Sequence, residues 1–408
     1  MVPDGWQKKT VGELCEFSNG NGFSAGDWSE SGLPIIRIQN LNGSREFNYF
    51  AGEAQEKWIV EPGQLLFAWA GTKGVSFGPT VWDGPRGVLN QHIYRLAPRP
   101  GVEQDWLYPI LRRVTDKVEA KAHGFKSTLV HVHKRDITDV SVPVPPVSEQ
   151  RAIADTLSVW NSAIDTCLRL LESATQQKKA LSQQLLTGKR RLPGFADAWR
   201  HLHLGDVCER VTRKNAAGVD NVLTISAQHG LVSQQDYFNK PVASSDLSTY
   251  THLKRGDFAY NKSYSKGFPM GAIKELSLYD EGVVSSLYIC FRRKRHGLGE
   301  QAFLRHFIES GMLNREIYAF AQEGARNHGL LNIAVGDFLS CRLNLPGRDE
   351  QLAIAAALDL ADQCVEGHKK QLELLEKEKR ALMQQLLTGK RRIKLPHKHT
   401  TPTKEHAS

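Results

Sequence analysis

Glu149-Gln150-x-Ala152-Ile153-Ala154-x-x-Leu157 returns as Glu350-Gln351-x-Ala353-Ile354-Ala355-x-x-Leu358, displaced by 201 residues. The same displacement carries Gln183-Gln184-Leu185-Leu186-Thr187-Gly188-Lys189-Arg190-Arg191 onto Gln384-Gln385-Leu386-Leu387-Thr388-Gly389-Lys390-Arg391-Arg392 without a gap. Nine consecutive identities are not chance. Upstream, Trp6 and Gly12-Glu13-Leu14-Cys15-Glu16 echo Trp199 and Gly205-Asp206-Val207-Cys208-Glu209 at a displacement of 193. The segments Asp136-Ile137 to Val144-Pro145 and Asp337-Phe338 to Leu345-Pro346 repeat at 201 again. A repeat on this scale makes the chain two half-molecules of one kind, each a divergent stretch closed by a near-identical segment.

The closing segments read as long helices. In the first, Ile153, Leu157, Trp160, Ile164, Cys167, Leu171, Ala174, Leu181 and Leu185 fall at alternating spacings of three and four, a heptad seam with only Lys178 out of place. In the second, Ile354, Leu358, Ala361, Val365, Leu372, Leu375, Leu382 and Leu386 take the equivalent places, interrupted by His368 and Lys379. Both begin after proline, with Ser148 or Asp349 as the expected N-cap. Both stop at Thr-Gly, where glycine suits the position after the C-cap and Lys-Arg-Arg complements the negative helix end. Some 40 residues at ~1.5 Å each make a rod of about 60 Å. A rod with a one-sided seam needs a partner, and the expected partner is its own repeat.

The divergent stretches carry a different pattern. Leu33 to Asn40, Ile59 to Ala68, Gly87 to Leu96, Leu253 to Tyr260 and Val283 to Arg292 read as strands set between turn residues, and Gln301 to Phe320 as helical. Each is therefore a mixed globule rich in sheet. The expected fold is α/β in the α+β sense: two sheet-rich domains separated by two long antiparallel coiled-coil helices, with a pseudo-two-fold internal repeat.

Composition narrows the function. At 408 residues the chain exceeds what one hydrophobic core usually supports. Its 53 lysines and arginines against 44 acids give a net charge of +9, which favours a polyanionic partner. No run of apolar residues reaches membrane length, the N-terminus lacks the apolar stretch of a secretory signal, and six cysteines are scattered singly. These features suit the reducing cytoplasm and no membrane. Chemistry is hard to find. The only Pro-Pro, Pro145-Pro146, follows Val144 where an amino-methyltransferase needs Asp or Asn. Gly20-x-Gly22-x-x-Ala25 lacks the flanking strand and helix of a dinucleotide site, and Gly188-Lys189 and Gly389-Lys390 lack the earlier glycine of a phosphate loop. His131-x-His133 has no companion ligands, so a packed or solvated strand is the better reading and no metal is expected. No nucleophile elbow is present.

The two Glu-Gln-x-x-Ile helix starts, each after a strand ending in Pro, and the paired Leu-Leu-Thr-Gly stops resemble the specificity (S) subunits of type I restriction-modification systems, the HsdS family, over almost the whole chain. The resemblance implies two target-recognition domains at residues 1–147 and 198–347, conserved spacer helices at 148–188 and 348–389, a linker at 189–197 and a basic, disordered tail at 390–408. It implies a non-catalytic reader of an asymmetric, bipartite double-stranded DNA site. Two adenine-N6 methyltransferase (M) subunits and the restriction (R) subunits would be its partners. S-adenosylmethionine, ATP and Mg would belong to those partners, and no cofactor to this chain. Because six of the eight tryptophans lie in the first domain, the two domains should read different sequences.

Arg and Lys match guanine and Asn and Gln match adenine in the major groove. On that basis Arg37, Gln39, Asn40, Asn42, Lys73, Lys126 and Ser127 are the base-reading candidates of the first half. Arg213, Lys214, Lys262, Lys266, Arg326, Asn327 and His328 are those of the second. For any one of them a solvated surface residue is the commoner state. The polar loops Gly124-Phe125-Lys126-Ser127 and Gly324-Ala325-Arg326-Asn327-His328 stand out, since both halves place one before the repeated aspartate. The rival reading is a two-lobed coiled-coil adaptor that binds proteins only.

Overall fold

The computed structural model describes residues 2–121, 129–226, 230–238, 246–264, 267–320, 322–323 and 331–394. The chain forms two compact units that are not contiguous in sequence. The first comprises residues 1–167 and 371–408, the second residues 168–370. The repeat is visible inside each. A ribbon pairs Gln7–Thr10 with Ser141–Val144 in one unit and Arg200–His203 with Arg342–Leu345 in the other. Gln7 faces Val144 and Arg200 faces Leu345, so the ribbon register obeys the 193- and 201-residue displacements. The main sheets also share a strand order. It runs Cys15–Asn19, Ile93–Pro98, Leu65–Ala68, Gly78–Val81 in the first unit and Cys208–Arg210, Ile289–Arg293, Phe258–Asn261, Ala272–Glu275 in the second. All neighbours in both are antiparallel.

Most strand expectations hold, broken by turns: Ile59–Val60 and Leu65–Ala68, Gly87–Leu89 and Ile93–Pro98, Thr251–Lys254 and Phe258–Asn261. Leu33–Ile36 is a strand, but Arg37 to Asn40 is not. Asn40 Oδ1 accepts the Arg37 backbone N–H at 2.9 Å and starts a helical turn over Ile38–Leu41. A helix of eighteen residues over Gln104–Lys121 has no counterpart among the sequence expectations. It buries Trp106, Leu107, Ile110, Leu111 and Val114 in the core of the first unit.

The long helices span Val147–Leu185 and Arg348–Leu386, 39 residues each. They start earlier than the sequence suggested, so Ser148 and Asp349 lie inside the first turn instead of capping it. The seam is the least exposed stripe of each helix. Ile153, Leu157, Leu185, Ile354, Leu358 and Leu386 are buried, while Trp160, Ile164, Leu171, Val365, Leu372 and Leu382 are half-buried. In the first unit Ile153 and Leu157, from the start of one helix, share a core with Leu386 and Leu387 at the end of the other. In the second, Ile354 and Leu358 share a core with Leu185 and Leu186. Start meets end within each unit, so the paired segments run antiparallel. Lys178, the misfit of the heptad, forms an ion pair with Asp362.

The Glu-Gln dipeptide has an architectural purpose. Glu149 is 2% exposed and receives Trp6 Nε1 at 3.0 Å and the Arg392 guanidinium at 2.7 and 3.1 Å. Glu350 receives Trp199 Nε1 at 3.1 Å and Arg191 at 2.5 and 2.7 Å. Each arginine follows the long helix that ends in that unit, so every unit is closed by both repeats. Gln150 bonds the Gly101 and Pro145 carbonyls and the Glu103 N–H; Gln351 bonds Leu298, Pro346 and Glu300 in the same way. The buried amide and carboxylate are thus satisfied, as burial requires. Gly188 and Gly389 end the helices at φ of +71° and +72°, as the sequence suggested. The expected linker and tail begin as ordered closures. Leu192 and Ile393 pack on the unit cores, and residues 395–408 lie outside those described.

Candidate nucleic-acid interface

The sequence candidates divide into residues the fold uses and residues it leaves at the surface. Asn40 is a correction. It is 3% exposed, and beyond capping Arg37 its amide donates to the Ser44 and Glu46 carbonyls at 3.1 and 2.9 Å, so its hydrogen-bonding capacity serves the turn. Arg213 is another. Its guanidinium lies 2.5 Å from Asp257, a carboxylate 5% exposed that also holds the Lys254 N–H, so removing it would leave a buried charge unpaired. Gln39 is exposed on the short helix Ile38–Leu41 and Asn42 is exposed at its C-cap, and Arg37 lies with its guanidinium 4.6 Å from the Trp28 ring centre. Lys73 is half-buried in a turn fixed by the Thr72 N–H bond to Ser76 Oγ at 2.7 Å. Lys214 is exposed and bonds the Thr249 carbonyl. Lys126, Ser127, Lys266, Arg326, Asn327 and His328 lie outside the described residues.

The described residues that follow the two polar segments hold equivalent places in the two units. In the first unit the loop returns as strand Leu129–His131, paired with Ala70–Thr72, and the Val132 N–H bonds the Trp69 carbonyl at 3.2 Å. In the second it returns as Leu331–Asn332, where the Leu331 N–H bonds the Lys262 carbonyl at 3.0 Å. The first described residues after each polar segment, Leu129 and Leu331, therefore lie beside the end of the third strand of the sheet, next to Lys73 in one case and Lys262 in the other. Sequence separation hides this neighbourhood.

A cluster of rings stands at that place in the first unit. The half-buried Trp69 ring lies 4.8 Å from His131, 5.1 Å from His92 and 6.0 Å from Tyr94, which it stacks. Tyr94 meets Phe17 edge-on at 5.5 Å, and Lys134 lies 5.7 Å over Phe17. His92 Nδ1 and Asn90 Oδ1 are buried without a partner among the described residues. The sequence showed the tryptophan excess and His131, but nothing local joins Trp69 to a residue 62 positions away. His131 packs on an aromatic ring, and His133 precedes a short helix whose Asp136 accepts its N–H.

Burial pushes the thiols of Cys15, Cys208, Cys290 and Cys341 up to about 12, which makes them poor nucleophiles. His306, 5% exposed, meets Asp359 at 2.8 Å and Asp362 at 3.8 Å, a ligand-like grouping. Arg305 and Lys178 already form ion pairs with those two carboxylates. Among the described residues no helix is long and apolar enough to cross a membrane.

A family model for the type I restriction modification DNA specificity domain matches residues 3–175. The MjaVIII type I specificity subunit of Methanocaldococcus jannaschii is 23% identical over 426 residues, covering 96% of this chain and 94% of that one. The EcoDI specificity subunit of Escherichia coli is 34% identical over 188 residues, 46% of this chain and 38% of its own length. Among solved structures, the type I S subunit from M. genitalium matches with a TM-score of 0.53 at 13% identity, covering 95% of this chain and 96% of that one. A chain from a study of type I complex assembly and conformational transition matches with a TM-score of 0.57 at 18% identity, covering 95% and 99%. At these identities the structures speak to the fold alone, and of the two sequence relatives the M. jannaschii subunit aligns across both repeats. The chain is thus similar over almost its whole length to type I restriction-modification specificity subunits, and its fold is that of the solved S subunits.

Proposed function

We propose that the chain reads an asymmetric, bipartite DNA site for a type I restriction-modification complex and scaffolds that complex's adenine-N6 methyltransferase and restriction subunits without catalysing a reaction itself. The observation that carries this reading is one frame with two surfaces. Ribbon register, sheet order and the Glu-Gln closure repeat, whereas the residues at the loop-bearing strand ends differ between the units. On this reading residues 1–147 and 198–347 are the recognition domains, 148–188 and 348–389 the spacers, and 189–197 the linker. S-adenosylmethionine, ATP and Mg belong to the partners, and the assembly works in the cytoplasm. The net charge of +9 supports attraction to the phosphate backbone.

Adenine-methylation mapping of the host genome, with and without this chain, tests the reading. Two specified blocks flanking an unspecified spacer are expected, lost when the chain is removed. Methylation that is unchanged by removal, together with salt-independent behaviour on random duplexes, would favour the protein-only adaptor. The scaffold has its own support: Val159 and Leu360 occupy equivalent places on the long helices and are each 68% exposed, two like surfaces for two like partners. Native mass measurement at saturating methyltransferase should give two copies per chain. A one-to-one limit would overturn the stoichiometry.

A further inference from the structure

The two units place different chemistry at one topological position. Leu65 faces Leu96 in the first sheet and Phe258 faces Phe291 in the second, which aligns Trp69 with Lys262, four residues past the first member of each pair. The 201-residue displacement aligns His131 with Asn332. In both units the chain leaving the central strand touches the chain returning from the polar loop through a backbone hydrogen bond, shifted by two residues between them. His131 and Asn332 are exposed, and Trp69 and Lys262 are half-buried. Among the described residues neither Lys262 nor Asn332 has a side-chain hydrogen bond or ion pair.

We propose that this crossing point is the sequence-determining position of each recognition domain, with Trp69 and His131 reading one half-site and Lys262 and Asn332 reading the other. The inference rests on the DNA-reading function proposed above. Lysine offers donors to guanine O6 and N7, and asparagine can pair with the N6 and N7 edge of adenine. Trp69 and His131 instead present an aromatic edge and one imidazole donor or acceptor, chemistry suited to apolar contact with a thymine methyl or partial stacking on a base. Lys134, whose ammonium lies 5.7 Å over the Phe17 ring, supplies positive charge at the far end of the same row of rings. A shared frame that changes only this pair would change the sequence read without changing how the domain is held, and that is what an asymmetric site requires.

The test transplants the pair. The complex is isolated from its host through a tag on this chain, and a randomised duplex pool is bound and sequenced. Trp69→Lys with His131→Asn should change the preferred base at one or two positions of a single block by about 5- to 150-fold, leaving the other block as an internal control of folding. Lys262→Ala with Asn332→Ala should relax positions in the other block alone. Should the double substitution at Trp69 weaken the fold, His131→Ala, at an exposed side chain, should relax a position of the same block alone. Unchanged preferences in both blocks, or an equal loss for every sequence, would overturn the inference. A wild-type complex that selects no bipartite sequence would overturn the DNA-reading function itself, and this inference with it.

Discussion

Trp6 and Trp199 each donate an indole N–H to a glutamate that is 2% exposed. Trp6→Phe or Trp199→Phe keeps a ring in place and removes that donor. Each should cost about 1–1.5 kcal/mol, which for a unit of this size lowers Tm by about 3–5 °C in calorimetry. Equal effects are expected because the geometry repeats. His306 behaves differently. Burial and the Arg305 charge hold its pKa below the ordinary 6.5 against the pull of Asp359 and Asp362, with Lys178 in ion-pair contact with Asp362. The folded state therefore binds fewer protons than the unfolded chain just below that value. Stability from this group is fully present above pH 6.5 and falls as the pH drops toward the folded pKa. His306→Gln should flatten that limb, read as urea midpoints on either side of pH 6.5. At the thiols, Cys364 alone of the six cysteines is exposed, so a thiol reagent should titrate one group quickly in the native protein and six after denaturation.

At the level of elements, the helix stops differ in a way the repeated sequence conceals. Both glycines have positive φ, which costs an L side chain about 1–2 kcal/mol. A Cβ on Gly188 would meet the Trp199 ring at 3.4 Å, an ordinary contact, whereas one on Gly389 would meet Pro3 at 2.3 Å. Gly389→Ala should therefore destabilise more than Gly188→Ala, a difference that chemical denaturation of the two variants can read. The elements most legible in sequence were those with a sustained period. The heptad seam located both long helices to within a few residues at either end, and it flagged Lys178 as the misfit that proves to be paired. The turn at Arg37 is not legible in the sequence because its cause, the Asn40 cap, competes locally with an otherwise apolar strand pattern. Base-reading candidates suffered most. Residue type suggests Asn40, and only tertiary structure shows that a turn has claimed it, while Arg213 also holds the buried Asp257. Trp69 and His131 carry no mutual signal in sequence, since a strand crossing makes them neighbours.

The whole molecule is two units that each borrow from the other half of the sequence. Residues 371–394 contribute Leu386, Leu387 and Arg392 to the first unit, so a fragment ending at Gly188 is not a complete copy of it. That fragment should show weaker protection from proteolysis than the same region in the full chain. Replacing residues 198–345 with the matching segment of another family member should leave the first unit and its half-site intact, provided that the graft keeps a tryptophan where Trp199 donates to Glu350.

The exchange of arginines also sets a timetable. During synthesis, Arg191 emerges long before Glu350 and is waiting when its partner arrives. Glu149 must wait for Arg392, after nearly all of the second unit has left the ribosome. Domains usually complete themselves in the order in which they are translated. Here the later-starting unit has all its parts first, and the unit translated first is finished last. Stalled nascent chains ending just past Lys370, once clear of the exit tunnel, should therefore protect the second unit from protease while the first remains open to cleavage.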